Sequence, residues 1–243
     1  MEFEYSFEKL GNVLDICITN DHKFGTDAFL LSNYANIKRK DLACDLGTGC
    51  GIIPMLWFRN PENAPKFAYA VDIQEKAIAQ LNISIEKNNL QNKLKAICCD
   101  LKYISDSSLN LGDFDVVTCN PPYKICGSGI ISEMDSEKIA RHEVMCSIND
   151  VTDAAAKLLK FGGRLCICQR PERLLDVLEA MRNSKIEPKR IRFVQKLGNT
   201  APWLFLVEGK KGAKPFLQVE KPFIIQDENG DFSDELKDVY FKF

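Results

Sequence analysis

A short polar segment at the end of an apolar run has the residue types best suited to chemistry. Residues 114–119 are typical of a central strand, and Asn120-Pro121-Pro122-Tyr123 follows directly. Two prolines end the strand because proline cannot donate to a hydrogen-bond ladder. The amide and prolyl carbonyl oxygens can accept hydrogen bonds, and Tyr123 offers an aromatic face. These groups suit the binding of a planar molecule with an amino group. A proline-rich loop that only ends a strand would show the same sequence pattern.

A glycine-rich turn at residues 45–51 is the second candidate site. It reads Asp-Leu-Gly-Thr-Gly-Cys-Gly and joins an apolar strand to an apolar helix. Its glycines Gly47, Gly49 and Gly51 let the backbone approach a ligand, and the helix start offers free N–H groups. A dinucleotide fingerprint would need Gly or Ala at position 52, where this chain has Ile52. The turn instead follows the spacing Asp-x-Gly-x-Gly-x-Gly and begins with Asp45.

Two further acids end apolar runs in the same manner as Asp45. Asp72 follows the predicted strand 67–71, and Asp100 follows the predicted strand 94–99. Ligands of open α/β sheets bind outside the carboxyl ends of the strands, where an acid can accept from ribose hydroxyls. Each acid alone could be a solvated cap, but three at successive strand ends favour a shared site.

The alternation of strand and helix patterns predicts an α/β fold with a mostly parallel sheet and helices on both faces. Strand 114–119 should lie beside strand 42–46, which would bring Asn120 next to the glycine turn. The other predicted elements are a hairpin arm at 13–19, helices at 28–37, 74–87 and 151–159, strands at 164–169, 186–195 and 203–208, and a helix or strand within 227–243. Either Thr26 or Asp27 is expected to cap the first helix. We expect a single domain, 1–243, with 1–40 as a hairpin and helix extension and 41–243 as the core.

Composition narrows the class of protein. The chain has 243 residues, of which 45% are hydrophobic and 27% charged, as in soluble globular proteins. No apolar run is long enough to span a bilayer, and the acidic N-terminus lacks the order of a signal peptide. Ten cysteines without a C-x-x-C pair, and two histidines, predict reduced thiols without a metal site. We therefore expect a cytoplasmic protein, with a monomer as the favoured state.

The overall charge does not indicate a nucleic-acid partner, because the net charge is −2 and the isoelectric point is about 5.8. Basic residues do cluster in two stretches, 185–196 and 210–214, which contain Lys185, Lys189, Arg190, Arg192, Lys196, Lys210, Lys211 and Lys214. Both stretches can be read as solvated surface or as an edge that contacts phosphates.

Together these segments resemble the Rossmann-like class I methyltransferases that use S-adenosylmethionine, and Asn120–Tyr123 resembles their amino-methylating branch. The closer resemblance is to the bacterial tRNA1(Val) adenine-37 N6-methyltransferase family. It covers nearly the whole chain and includes the segments 24–28, 45–51, 120–123, 140–143 (Ala-Arg-His-Glu) and 206–212. The resemblance implies a mostly parallel seven-stranded sheet with an antiparallel C-terminal strand.

The resemblance also implies roles for particular residues. Those implied for S-adenosylmethionine are Asp45, Gly47, Gly49 and Gly51 with Thr26 and Asp27 around the methionine part, Asp72 at the ribose, Asp100 at the adenine amino group, and Asn120. Those implied for catalysis on the target adenine are Asn120, Pro121, Pro122 and Tyr123. The implied substrate is an adenine in a tRNA loop, flipped out of its stack. His142 is then expected to contact RNA or stabilise the structure, because methyl transfer to an amine does not require a base there.

Three alternatives remain open at the level of sequence. A protein-glutamine N5-methyltransferase would use the same segment on a side-chain amide, which is also planar and carries an amino group. A guanine-N2 or DNA adenine enzyme would keep the cofactor site and change the acceptor. A catalytically inactive S-adenosylmethionine-binding, RNA-associated protein is disfavoured by the intact Asn120 and Tyr123.

Overall fold

The central sheet is the element around which the chain folds. The computed structural model describes residues 4–11, 13–19, 24–106, 109, 112–122 and 146–241. The strands of the sheet are β3 (Leu42–Leu46), β4 (Phe67–Asp72), β5 (Leu94–Cys98), β6 (Phe114–Cys119), β7 (Leu159–Gln169), β8 (Ile186–Gln195), β9 (Pro202–Lys211), β10 (Gln218–Val219) and β11 (Phe223–Ile224). Their order in the sheet is β10-β8-β9-β7-β6-β3-β4-β5, with β11 pairing with β8.

Strand directions confirm the predicted α/β fold. All pairs are parallel except those of β9, which runs antiparallel to both β7 and β8. The seven long strands match the predicted number, and β10 and β11 add two residues each at the β8 edge. β6 lies between β3 and β7, as predicted, and its apolar residues are fully buried because both faces of the sheet are covered.

Helices cover both faces of the sheet. Their bounds are α1 (Thr26–Ala35), α2 (Ile52–Trp57), α3 (Glu75–Lys87), α4 (Ile148–Leu158), α5 (Leu174–Asn183) and α6 (Asp234–Phe241), with short 3₁₀ turns at Leu101–Asp106 and Pro171–Arg173. Residues of α1, α2, α3 and α6 share one hydrophobic cluster, and residues of α4 and α5 share the other. None of the helices within the described ranges is long and apolar enough to span a membrane.

The start of α1 differs from the prediction of a Thr26 or Asp27 cap. The helix begins at Thr26 itself, and Gly25 occupies the N-cap without a side-chain hydrogen bond. The Thr26 hydroxyl instead bonds the Tyr240 hydroxyl of α6 at 2.8 Å, and Asp27 bonds a more distant partner. The cap prediction was therefore wrong, because both side chains are used in tertiary contacts.

The predicted N-terminal hairpin is confirmed as β1 (Ser6–Leu10) and β2 (Leu14–Ile18). It is attached to α3 through side chains that bond its backbone: Asn88 bonds Asp15, while Ser84 and Gln80 bond Cys17. These bonds satisfy buried backbone groups at the hairpin edge. All nine cysteines in the described ranges carry free thiols, as expected, although Cys98 is exposed rather than in the core.

Candidate active site

The register of the sheet brings Asn120 to the glycine turn. Cys119, the last residue of β6, pairs with Leu46 on β3 and with Ile167 on β7. Asn120 and Gly47 are the next residues of their strands, so they emerge side by side at the carboxyl edge. The prediction that strand 114–119 delivers Asn120 to residues 47–51 is confirmed in its geometry.

The Asn120 carboxamide is held at both ends. Its Nδ2 donates to Asp27 Oδ2 at 3.0 Å, and the Cys168 thiol donates to its Oδ1 at 3.0 Å. Beside it, Gln169 Nε2 donates to the Pro122 carbonyl oxygen at 3.4 Å. The sequence reading did not identify Cys168 and Gln169 as site residues. Their position could have identified them, since they are the last residues of β7, the strand that pairs with β6.

The three glycines of the turn have positive φ values of 67°, 55° and 80° at Gly47, Gly49 and Gly51. A Cβ at Gly47 or Gly49 would meet no atom within 4 Å, so the turn leaves open space there. A Cβ at Gly51 would lie only 2.3 Å from Leu81 Cδ1 on α3. The first two glycines therefore suit the close approach of a ligand, whereas Gly51 also allows α2 and α3 to pack closely.

Backbone amides hold Asp72 in place under the turn. Its Oδ2 accepts from Gly49 N at 2.8 Å and its Oδ1 from Gln74 N at 2.9 Å, with only 5% of the residue exposed. Asp100 Oδ1 accepts from Lys102 N at 2.9 Å in the same way. A carboxylate oxygen offers about two lone-pair sites, so one backbone bond leaves capacity for a hydroxyl or an amino group.

Asp45 lies fully buried beneath the turn. Its Oδ1 accepts from the Thr118 hydroxyl at 2.5 Å, while Oδ2 and the nearby Thr48 hydroxyl are buried without a hydrogen-bond partner among the described residues. Burial raises the pKa of Asp45 to about 7, and the Thr118 hydroxyl together with the nearby Thr48 hydroxyl opposes the rise. A buried carboxylate oxygen without a well-aligned donor is costly.

Two cavities flank the Pro121-Pro122 segment. The first, about 140 Å³, contains six of the predicted residues in its lining, Gly47, Asp72, Asp100, Asn120, Pro121 and Pro122. The second, about 330 Å³, is shared by the two prolines with the start of α4 and with Gln169 and Arg173. Because Pro121 and Pro122 line both cavities, two bound molecules could meet at this segment, next to Asn120.

The other predicted site residues do not line the first cavity, or they lie outside the described residues. Asp45 is buried beneath the glycine turn, Gly51 packs against Leu81 of α3, and Asp27 is linked to the cavity through Asn120. Gly49 fixes Asp72, and Thr26 bonds α6. Tyr123, His142 and the segment 140–143 lie outside the described residues.

Several residues of the basic stretches form contacts within the chain. Arg190 bonds Glu208 and Glu220, and Arg192 forms a two-point pair with Glu235. Lys211 Nζ donates to backbone carbonyls of α4 and β7. Because β8 begins and β9 ends at the amino edge of the sheet, residues 185–190 and 210–214 lie on the side away from Asn120.

Comparison with known proteins agrees with this geometry. A family described as a methyltransferase domain matches residues 37–209, which include β3 to β8, most of β9 and the lining of both cavities. The chain belongs to this methyltransferase family. The methyltransferase has the family's Rossmann-like sheet, and its Asp45–Gly51 turn and Asn120 both fall within the matched residues.

Two curated relatives of the methyltransferase share most of its length. A Histophilus somni protein is 29% identical over 99% of this chain and 98% of its own length. A Parabacteroides distasonis protein is 26% identical over 76% of each chain. Both are named tRNA1(Val) (adenine(37)-N6)-methyltransferase.

Solved structures support the fold of the methyltransferase. A predicted O-methyltransferase from Agrobacterium tumefaciens has a TM-score of 0.71 at 19% identity, covering 88% of this chain and 95% of that one. The M. jannaschii protein TYW2, in complex with AdoMet, has a TM-score of 0.56 at 16% identity, covering 85% of each chain. The Rossmann-like methyltransferase fold predicted from the sequence is confirmed.

Proposed function

We propose that this methyltransferase transfers a methyl group from S-adenosylmethionine to N6 of an adenine in tRNA, at position 37 of the anticodon loop. One observation carries the proposal: Asn120 follows β6 and lines one cavity together with Gly47, Asp72 and Asp100, its carboxamide is held by hydrogen bonds, and the adjoining Pro121-Pro122 segment also lines a second cavity. This chain matches the two curated relatives over 98% and 76% of their own lengths, and their names support tRNA as the methyl acceptor.

The residues of the first cavity fit S-adenosylmethionine, the ligand that the M. jannaschii structure contains. The open space at Gly47 and Gly49 admits a ligand against the backbone. The remaining lone pairs of Asp72 suit ribose hydroxyls, and those of Asp100 suit an adenine amino group. Thr26, Asp45 and Gly51 complete the predicted set around the methionine part, whereas Asp27 contacts the site through its hydrogen bond with Asn120.

Positioning carries most of the chemistry. Bound S-adenosylmethionine supplies an electrophilic methyl group on a sulfonium. The adenine N6 is a poor nucleophile because its lone pair is delocalised into the ring. Asn120 Oδ1 and the Pro121 carbonyl would accept the two N6–H bonds and so favour a pyramidal nitrogen whose lone pair faces the methyl group. The proton can leave afterwards, so no general base is required.

The second cavity, beside Gln169 and Arg173, is the proposed position of the target base. A paired or stacked adenine cannot reach Asn120, so the base must be flipped out or lie in a loop. Tyr123 would replace the lost stacking, an effect of about 1–3 kcal/mol per base. We further propose that the enzyme is a single-domain cytoplasmic monomer that works without a metal.

Methyl transfer from labelled S-adenosylmethionine tests the function. Total bacterial tRNA and a protein extract are offered in parallel, followed by nucleoside and amino-acid analysis. Label in N6-methyladenosine of tRNA is the expected result, and its absence from a tRNA transcript lacking the adenine would locate the position. Label in protein glutamine alone would replace the substrate and keep the cofactor site.

A further inference from the structure

The hydrogen bonds of Asn120 fix the orientation of its carboxamide as well as its position. A carboxamide has one acceptor end and one donor end, which are nearly the same size, so its orientation depends on its partners. The carboxylate of Asp27 can only accept, so it selects Nδ2. The thiol of Cys168 donates to Oδ1. Both partners therefore favour the same orientation of the amide.

That orientation matters if the group to be methylated is an amine. A target amino group presents N–H donors, so Asn120 must face it with Oδ1. If the amide were flipped, its NH2 group would face the N–H groups of the target and no hydrogen bond could form. The Asp27 carboxylate also polarises the amide, because a charged acceptor at Nδ2 raises the electron density on Oδ1. Its negative charge further favours the positive charge that develops on the target nitrogen as the N–C bond forms.

Helix α1 fixes Asp27 at the required position. Its last turn is bound by two arginines, since Arg164 donates to the Ala35 carbonyl at 2.8 Å and Arg190 to the Tyr34 carbonyl at 2.5 Å. At its first turn, Gly25 leaves room for the carboxylate: a Cβ there would lie 2.7 Å from Asp27 Oδ1. A carboxylate in this turn also suits the helix dipole, which is the competing, purely structural role for Asp27.

We propose that Asp27 and Cys168 are positioning residues that orient the Asn120 carboxamide so that its Oδ1 accepts a hydrogen bond from the target amino group. The inference rests on the proposed function, because it assumes an amine acceptor at Asn120. It assigns Asp27 to the binding of the methyl acceptor, where it acts through Asn120. It also gives a role to the fully buried Cys168.

The variant Asp27→Asn keeps the size of the side chain and removes its charge and its acceptor-only character. The expected result is a fall of about 10- to 100-fold in the single-turnover rate. The Kd of S-adenosylmethionine and the KM for tRNA should stay within about twofold. The matched control is Asp234→Asn, which removes a first-turn acid from α6 and should leave the rate unchanged.

The thiol is tested by a rescue series. Cys168→Ala removes the donor and should lower the single-turnover rate about 10-fold, whereas Cys168→Ser keeps a donor and should recover most of it. Cys166→Ala is the matched control, because Cys166 is equally buried on the same strand but bonds Glu208. Equal losses for Cys168→Ala and Cys168→Ser would overturn the role of the thiol.

Two measurements separate positioning from a structural role. Gly25→Ala leaves every polar group in place, and its φ of −117° is open to alanine, yet its Cβ must displace the Asp27 carboxylate. It should lower the rate in the same direction as Asp27→Asn. In ¹⁵N-labelled protein, the Asn120 side-chain amide protons, assigned by their loss in Asn120→Ala, should move upfield in Asp27→Asn.

The outcomes are separable from those of the proposed function. The acceptor labelled by the wild-type enzyme decides the function, and the ratio of variant to wild-type rate on that acceptor decides the inference. An unchanged rate in Asp27→Asn would overturn it. So would a loss of cofactor affinity as large as the loss of rate, which would make Asp27 a cofactor ligand.

Discussion

Two polar clusters lie on the face of the sheet that α1 covers, and they hold carboxylates in different ways. In the arginine cluster, made of Arg164, Arg190, Glu208 and Glu220, Glu208 accepts from Arg164 at 2.8 Å and from Arg190 at 3.0 Å. In the site cluster, made of Asp27, Asp45, Asp72 and Asn120, the bonds come from a hydroxyl, backbone amides and a carboxamide.

The two clusters even share one row of the sheet. Asp45, Thr118, Cys166, Glu208 and Arg190 are successive register partners across five strands. Arginine partners neutralise a buried carboxylate and hold the structure, whereas neutral donors position a carboxylate and leave its charge available to a ligand. We therefore expect the Glu208 carboxylate, near the Arg190 end of the row, to stabilise the fold, and the Asp45 carboxylate, at the other end, to cost stability.

The largest expected effect is on turnover at the site cluster. Asn120→Ala should lower the single-turnover rate roughly 1000-fold, because the acceptor that orients the amine is lost. Cofactor binding, measured by titration calorimetry, should stay largely intact, since Asp72 and the glycine turn are unchanged. Equal loss of rate and cofactor affinity would remove Asn120 from its assigned role.

The arginine cluster should respond in stability instead. Glu208→Gln leaves two arginines without their shared anion and should lower the free energy of unfolding by about 3 kcal/mol at pH 7, as seen in denaturant titration. Turnover below the unfolding transition should change little. Glu220→Gln is the control, because Glu220, whose side chain is 26% exposed, bonds only one of the two arginines and should contribute less than about 1 kcal/mol. A large loss of turnover without loss of stability in Glu208→Gln would contradict the distinction.

The pH dependence of the arginine cluster has a definite sign. Burial tends to raise the pKa of Glu208, but the hydrogen bonds and charges of Arg190 and Arg164 outweigh it and hold the pKa below its ordinary value. The stabilisation is therefore complete above the unfolded pKa of about 4.3 and is lost as the pH falls through the lowered value. The difference in the free energy of unfolding between wild type and Glu208→Gln should therefore become smaller over the same acidic pH range.

A smaller effect is expected at the cofactor side of the site cluster. Asp72→Ala should weaken S-adenosylmethionine binding by about 2 kcal/mol, or roughly 30-fold in Kd, because a charged acceptor and the anchor of Gly49 are lost. Titration calorimetry measures it, with the exposed neighbour Glu75→Ala as control. An unchanged Kd in Asp72→Ala would remove Asp72 from the cofactor site.

How far the sequence could predict these clusters follows from their distance along the chain. The strand ends Asp72, Asp100 and Asn120 were predictable because strand patterns and parallel order place carboxyl ends at one edge. The bonds of Asn120 to Asp27 and Cys168 join residues 93 and 48 positions apart, and no local pattern encodes them. For the same reason, the sequence could not show that Arg190 and Arg192 form ion pairs with Glu208 and Glu235.

The smallest expected effect tests the idea that the site end of the row costs stability. Burial raises the pKa of Asp45 to about 7, above an unfolded value of about 3.9, so the native state is destabilised as the pH rises between these values. Asp45→Asn removes that ionisation, keeps an acceptor for Thr118 and can donate to the unpaired Thr48 hydroxyl.

Thermal and denaturant unfolding should show Asp45→Asn to be more stable than wild type by about 1 kcal/mol at pH 8, with a smaller gain at pH 5. The control is Thr118→Val, which removes the donor that favours the Asp45 carboxylate and should lower stability at pH 8. A loss of stability in Asp45→Asn at pH 8 would mean that Asp45 stabilises the fold as Glu208 does. The two ends of the row would then differ only in their partners and not in what their carboxylates do.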